Sequence, residues 1–207
     1  MTDQEHRSGD DQHGQDAQHG QGKPHKKHKP MNMYLRFAAM ILTGMVVMYW
    51  VMFTGSWAWG HVRFSESRIF MALTMGGTMA LVMLAWMLNM YKNVKANIAI
   101  VAAGVLLIGG GIALDRSQIT VDDSAYMSAM IPHHSLAITR SERAQIQDIR
   151  VCELAVEISV AQRREILEMD WLIDDIAANG IAATPAEAQE RPVPEFDVAA
   201  VRDCPTE

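Results

Sequence analysis

Cysteine is nearly absent: the 207 residues include only Cys152 and Cys204. They stand too far apart for a C-x-x-C redox or zinc pair, which removes the usual support for thiol catalysis and thiolate zinc binding. A disulfide, within one chain or between two, stays open. Lysine disappears after Lys95. From Asp115 onward there are 18 acidic residues against 8 arginines, a balance of −10, while the part before it carries +4. An acidic region of this kind is a poor partner for nucleic acid and a reasonable attractor of cations, although most such charges simply solvate helix surfaces. Formal charge is missing altogether from three apolar runs, Phe37–Phe53, Ile69–Met90 and Ile98–Leu114.

Each of these runs approaches or reaches the roughly 17–25 residues that a membrane-crossing helix needs. The few aromatics (7% of the chain) gather toward the run ends as Tyr49, Trp50, Trp57, Trp59, Trp86 and Tyr91, where interfacial rings belong. Three transmembrane helices are therefore expected over 34–114. The third is short, and Gly109-Gly110-Gly111 loosens its ends. A polar stretch of more than thirty residues before the first run is too long for an ordinary signal-peptide n-region, so a retained anchor fits better. Lys23, Lys26, Lys27, Lys29 and Arg36 precede the first helix, and Lys92 and Lys95 separate the second from the third. That bias places the N-terminus inside and the C-terminal region outside: cytoplasmic and periplasmic faces of a bacterial inner membrane.

Residues 1–33 read as a disordered cytoplasmic tail. His6, His13, His19, His25 and His28 punctuate it with almost no large apolar residue beside them, which favours a solvated segment over a metal trap. Methionine recurs at every fourth position of the second run, as Met71, Met75, Met79, Met83 and Met87, and Met40, Met45, Met48 and Met52 line the first. A thioether ladder for metal passage would be accompanied by intramembrane Cys, His, Asp or Glu, and none is there. Flexible packing is the better reading. Gly76 and Ala80 add a small-xxx-small pair that permits close helix contact.

Beyond the membrane two helices are expected. Asp122 or Asp123 caps the first, which runs to about Ala144 across Pro132. Asp148 caps the second, which ends near Ala178 before Asn179-Gly180. Their short connection makes an antiparallel hairpin over 115–180, with an irregular tail at 181–207 rich in proline. The second helix carries Ala155, Ile158, Gln162, Glu165, Met169, Leu172 and Ile176 on one face, so Gln162 and Glu165 interrupt an apolar stripe. On the first, Met127, Met130, His134, Ala137 and Ser141 share a face bordered by His133. Counting symmetrically about the turn sets Met130 and His134 level with Ile158–Gln162 and Met127 near Glu165. Thioether and imidazole together suit a soft ion such as Cu(I) and have little use for hard cations. No Glu-x-x-His pair of the di-iron type occurs, since Met130 stands three before His133, and no hydrolase nucleophile signature is present. No enzyme activity is expected.

The run Asp123-x-x-Tyr126-Met127-x-x-Met130-Ile131-Pro132-His133-His134-x-x-Ala137 is followed by Leu154-Ala155-x-x-Ile158-x-x-x-Gln162-x-x-Glu165-Ile166-x-x-Met169-x-Trp171-Leu172. This pattern resembles the family called domain of unknown function 305. The resemblance implies a ferritin-like fold and periplasmic copper binding tied to copper tolerance. Residue by residue it points to Met127, Met130, His133, His134 and Met169 as ligands, with Gln162 and Glu165 as auxiliary groups. The membrane runs and the His-rich tail lie outside it.

The expected molecule is therefore all-α: a three-helix membrane anchor in lipid, followed by a ferritin-like hairpin. One hairpin buries too little area to be stable alone. A second copy completing a four-helix bundle is the simplest remedy, and docking onto the membrane segments is the other. The expected function is Cu(I) binding for copper homeostasis, with Ag(I) as a second soft cation and copper-handling proteins as partners. A non-metal interaction or signalling module is the alternative.

Overall fold

The computed structural model describes residues 30–205, so the five histidines from His6 to His28 lie outside the described residues. Six α-helices and one 3₁₀ turn (Trp59–His61) follow in chain order, with no strand among the described residues. Helices α1 (Pro30–Val51), α2 (Glu66–Trp86) and α3 (Val94–Ser117) are the three expected from the uncharged runs. Each is long and apolar enough to cross a membrane. Helix α3 continues unbroken through Gly109–Gly111. Gly77 of α2 meets the Gly104 backbone of α3 at a distance that leaves no room for a Cβ, and Gly111 faces Phe70 and Thr74. The glycines thus set the α2–α3 seam.

Methionine fills the α1–α2 seam. The Met45 side chain lies over Gly76 and the Met79 methyl over Gly44, while Met83 and Met87 pack on a cluster of Phe37, Ile41, Ala80, Leu84 and Tyr91. Met71 and Met75 are less buried, each 43% exposed. So the methionine stripe divides: its lower part is helix packing within the chain, and Gly76 and Ala80 serve the same intrachain seam. At the end carrying Lys92 and Lys95, the Tyr34 hydroxyl bonds Asn97 Oδ1 (2.9 Å) and Asn97 Nδ2 donates to the Tyr91 carbonyl (2.9 Å). Trp86 projects from the bundle nearby, 85% exposed.

The opposite end carries the hairpin. Asp122 caps α4 (Asp123–Arg143) by accepting from the Ala125 N–H, and Asp148 caps α5 (Ile149–Asn179) by accepting from Arg150. Helix α4 runs on through a buried Pro132, and Gly180 ends α5 at φ 77°, a conformation glycine adopts without strain. The buried faces differ in part from the expected ones. On α4 they are Met127, Ile131, Pro132, Ser135, Ile138 and Ser141; on α5 they are Cys152, Ala155, Ser159, Ile166 and Met169. Ile158, expected in the core, is 38% exposed. Met127, Ser141, Ala155 and Met169 lie on the expected faces, whereas Ser135 and Ser159 are buried beside them because each finds a partner off its own helix.

Two segments cover the hairpin. The α1–α2 loop docks on α4: the Trp57 N–H donates to Ser135 Oγ (2.7 Å), His61 Nδ1 pairs with the same oxygen (2.8 Å), and Arg63 bridges to Asp170 (2.7 Å). Gly55 lets the loop approach closely, since a Cβ there would sit 2.5 Å from the Leu136 side chain. Trp57, expected at a membrane interface, instead packs on the hairpin cluster with the Arg143 and Arg163 guanidiniums over its ring at 5.4 and 5.0 Å. The second cover is the C-terminal stretch. It forms the short α6 (Pro185–Glu190), then returns along α5 without regular structure to a Cys152–Cys204 disulfide. The loop and the C-terminal stretch thus cover part of the hairpin, while Val151, Leu154, Ile158 and Leu167 of α5 stay exposed.

Candidate metal site

Helix α4 brings Met127, Met130 and His134 to one side because residues three and four apart are neighbours on a helix surface. Helix α5 offers Glu165 and Met169 in the same way. Across the hairpin these form two rungs. In one, Met127 and Met169 are buried with Ile131, Ile138 and Ile166, and Met130 packs against them. In the other, His134 Nδ1 stands 3.2 Å from Glu165 Oε2. Gln162 Nε2 donates to that same carboxylate at 3.1 Å.

The pairing differs from symmetric counting about the turn. His134 meets Glu165 and not Ile158–Gln162, and Met127 joins Met169 and not Glu165. The offset amounts to roughly one to two helical turns. Extended backbone at Ala144 and Asp148 lengthens the connection, and the first turn of α5 serves the returning C-terminal stretch through Cys152.

His134 is buried on most of its surface, and although Glu165 lies close, Nδ1 is not aligned to hydrogen-bond anything. A buried polar atom left without a partner costs about 1–3 kcal/mol. Burial pushes the His134 imidazole below its ordinary pKa; the Glu165 charge opposes this and His133 adds to it. Burial thus disfavours the charged form of this ring. His133 does not join this group. It is exposed on another side of α4, its ring 6.1 Å from that of His134. Of the seven residues expected at the site, Met127, Met130 and Met169 share the apolar cluster, His134, Gln162 and Glu165 form a separate polar group, and His133 is exposed.

Among the described residues no group of three or more His, Cys, Asp or Glu side chains is placed to hold a metal ion. Hard-cation and zinc-type sites therefore have no donor set here. One rung presents three thioethers and the other an imidazole beside a carboxylate; thioethers and imidazoles are the donor types that soft ions prefer. Beside the thioethers lies a cavity of about 450 Å³, walled by Tyr126, Met127, Met169, Leu172 and the α6 segment, with Asp123 and Asp175 among its polar residues.

Comparison with known proteins bears on this segment. The family model described as "Domain of unknown function (DUF305)" matches residues 114–196. Over 118 residues the chain is 32% identical to "Uncharacterized protein L153" of Acanthamoeba polyphaga mimivirus, covering 56% of this chain and 76% of that protein. The chain belongs to the DUF305 family. The DUF305 match takes in both hairpin helices and α6 and leaves the three membrane-length helices almost wholly outside. No solved structure matches the chain.

Sequence reasoning missed a second cluster of groups. Glu142 is 2% exposed at its side chain and accepts from Ser159 Oγ, Arg163 (3.2 Å), and the backbone N–H groups of Val201 (2.9 Å) and Arg202 (2.6 Å). Burial pushes its carboxyl up, but these donors together outweigh that and hold it below its ordinary 4.5. The Arg202 guanidinium in turn caps α4, bonding the carbonyls of Ser141, Glu142 and Ala144. Only the Glu142–Ser159–Arg163 portion lies on the hairpin. Its partners arrive from some sixty residues downstream, a separation that local periodicity does not register.

Proposed function

We propose that this protein is a membrane-anchored soft-metal binder. It holds Cu(I), and equally Ag(I), through Met127, Met130, Met169 and His134, with Glu165 and Gln162 as the surrounding polar pair. Its role is sequestration or handover in copper homeostasis, and it is not an enzyme. The observation that supports this reading is the clustering of three methionines on two facing helices, on the same hairpin as a largely buried His134 whose Nδ1 stands 3.2 Å from Glu165.

The placement proposed is the inner membrane of a bacterium, with the hairpin in the periplasm and the N-terminus in the cytoplasm. The lysines Lys92 and Lys95 at the end away from the hairpin support it, as does a disulfide, which persists in oxidising compartments. Exchange with other copper-handling proteins belongs to the same proposed role.

The test is a Cu(I) titration of the full chain in lipid nanodiscs against a competing chelator. His134→Ala and a Met127→Leu/Met169→Leu double variant are measured beside the wild type. Loss of affinity by more than about tenfold, roughly 1.4 kcal/mol, is expected in both. Equal binding by all three proteins overturns the ligand set, and no binding by any of them turns the hairpin into an interaction module.

A further inference from the structure

The pocket where the hairpin meets the membrane bundle holds a different set of soft donors. It encloses about 320 Å³ and is lined by Met52 from the turn after α1, Met71 from α2, and Met130 and His133 from α4. Ser65, Ser67, Arg68, Ala129 and Leu136 complete the wall, so no carboxylate is present. Three thioethers and an imidazole thus come together from three helical segments far apart in sequence. Docking of the loop on α4 creates the arrangement. Met52 and Met71 lie outside the segment matched by the family, so this pocket is a property of the fused anchor.

We infer that Met52, Met71, Met130 and His133 form a second Cu(I)/Ag(I) site, an exchange station at the membrane boundary. It shares an ion class with the proposed function but rests on its own ligands, apart from Met130. This assignment gives His133 a place, which the hairpin's two rungs do not. Oxygen-preferring cations find no carboxylate here, whereas neutral thioethers retain ligand strength at the edge of a low-dielectric region. Arg68 is the one formal charge lining the pocket. Its guanidinium donates to the Met52 carbonyl and lies 4.1 Å from the centroid of the Phe53 ring, so it is committed but still repels a cation. The station therefore binds more weakly than the hairpin rungs, where Glu165 supplies a countercharge. Weak and accessible is what exchange needs. Met130 borders both groups, packing on the hairpin cluster while lining this pocket.

Methyl-¹³C labelling of the 16 methionines reports directly on coordination. The full chain in nanodiscs of zwitterionic lipid is titrated with Ag(I), then with Cu(I) under reducing conditions. Met52→Leu and Met71→Leu assign the two signals and, combined, form the test variant; leucine conserves apolar volume at little cost in stability. The expected result is that Met52 and Met71 methyls shift at higher metal concentration than Met127 and Met169. The double variant then loses one bound equivalent while the Met127 and Met169 shifts persist. Unchanged Met52 and Met71 signals, or full stoichiometry in the double variant, overturn the station and leave the hairpin site standing. Response at Met52 and Met71 alone keeps the station and removes the hairpin site. A wild-type spectrum that no metal alters removes both.

Discussion

Buried serines and one buried carboxylate govern how the hairpin is held. Ser135 is fully buried and receives the loop through Trp57 and His61, and Ser159, equally buried, serves Glu142. Removing a carboxylate with four donors strands an arginine and two backbone N–H groups, so Glu142→Ala should cost about 3 kcal/mol. The sign of its pH dependence follows from its depressed pKa. Stability from this carboxylate is complete above its ordinary 4.5, and it is lost as pH falls through the lower folded value. Thermal unfolding followed from neutral pH into acid should show a steep decline below that value in the wild type. In Glu142→Gln the curve starts lower and declines less; parallel curves for the two proteins would mean that Glu142 does not titrate as argued. These residues also mark the limit of what the sequence discloses. Met127, Met130, His134, Glu165 and Met169 stand out in the sequence because thioether and polar residues at helical spacing are unusual on an apolar stripe. Ser135 and Ser159 do not, because a serine's burial depends on a partner that only tertiary structure supplies.

At the scale of elements, helix ends were read well and the register between helices was not. Asp122, Asp148 and Gly180 act through local hydrogen bonds and backbone freedom, which are written in adjacent residues. Register depends on what covers each helix, and here the returning C-terminal stretch does so. It is fixed at three levels: Arg191 on Asp175 near the end of α5, Val201 and Arg202 on Glu142, and Cys204 on Cys152 at the start of α5. The disulfide closes a loop with a sequence separation of 52, for which chain entropy gives about 4 kcal/mol. Because α6 forms one wall of the cavity beside Met127 and Met169, loosening this strap should also open the thioethers to solvent. Cys152→Ser/Cys204→Ser is expected to lower the unfolding midpoint of the C-terminal region. It should also speed protease cleavage between residues 181 and 204, with the hairpin surviving as a core fragment. Cleavage at the wild-type rate would show that Arg202 and Arg191 hold the strap without the covalent bond.

For the whole molecule, the question is why a hairpin too small to stand alone is fused to a bundle so poor in polar groups. The two parts share a boundary: the Trp57–Arg63 loop, the first turns of α2 and the middle of α4 interlock through Ser135, Asp170 and Leu136. A domain tied at several points to the ends of membrane helices cannot tumble on a tether, so its cavities keep a fixed height above the lipid. That fixed geometry gives the proposed orientation a sharp consequence. The end bearing Lys92 and Lys95 and the end bearing Gln118 lie on opposite faces of the bilayer, separated by the 24 residues of α3, about 36 Å of helix. In intact bacterial cells with the outer membrane permeabilised, a Gln118→Cys variant should react with a membrane-impermeant maleimide. A Lys95→Cys variant should react only after the inner membrane is lysed, and both should leave the disulfide intact. The reverse pattern would put the hairpin in a reducing compartment. Cys152–Cys204 could not be relied on to hold the strap there, and the thioether site would then face the cytoplasmic copper pool instead of the periplasmic one.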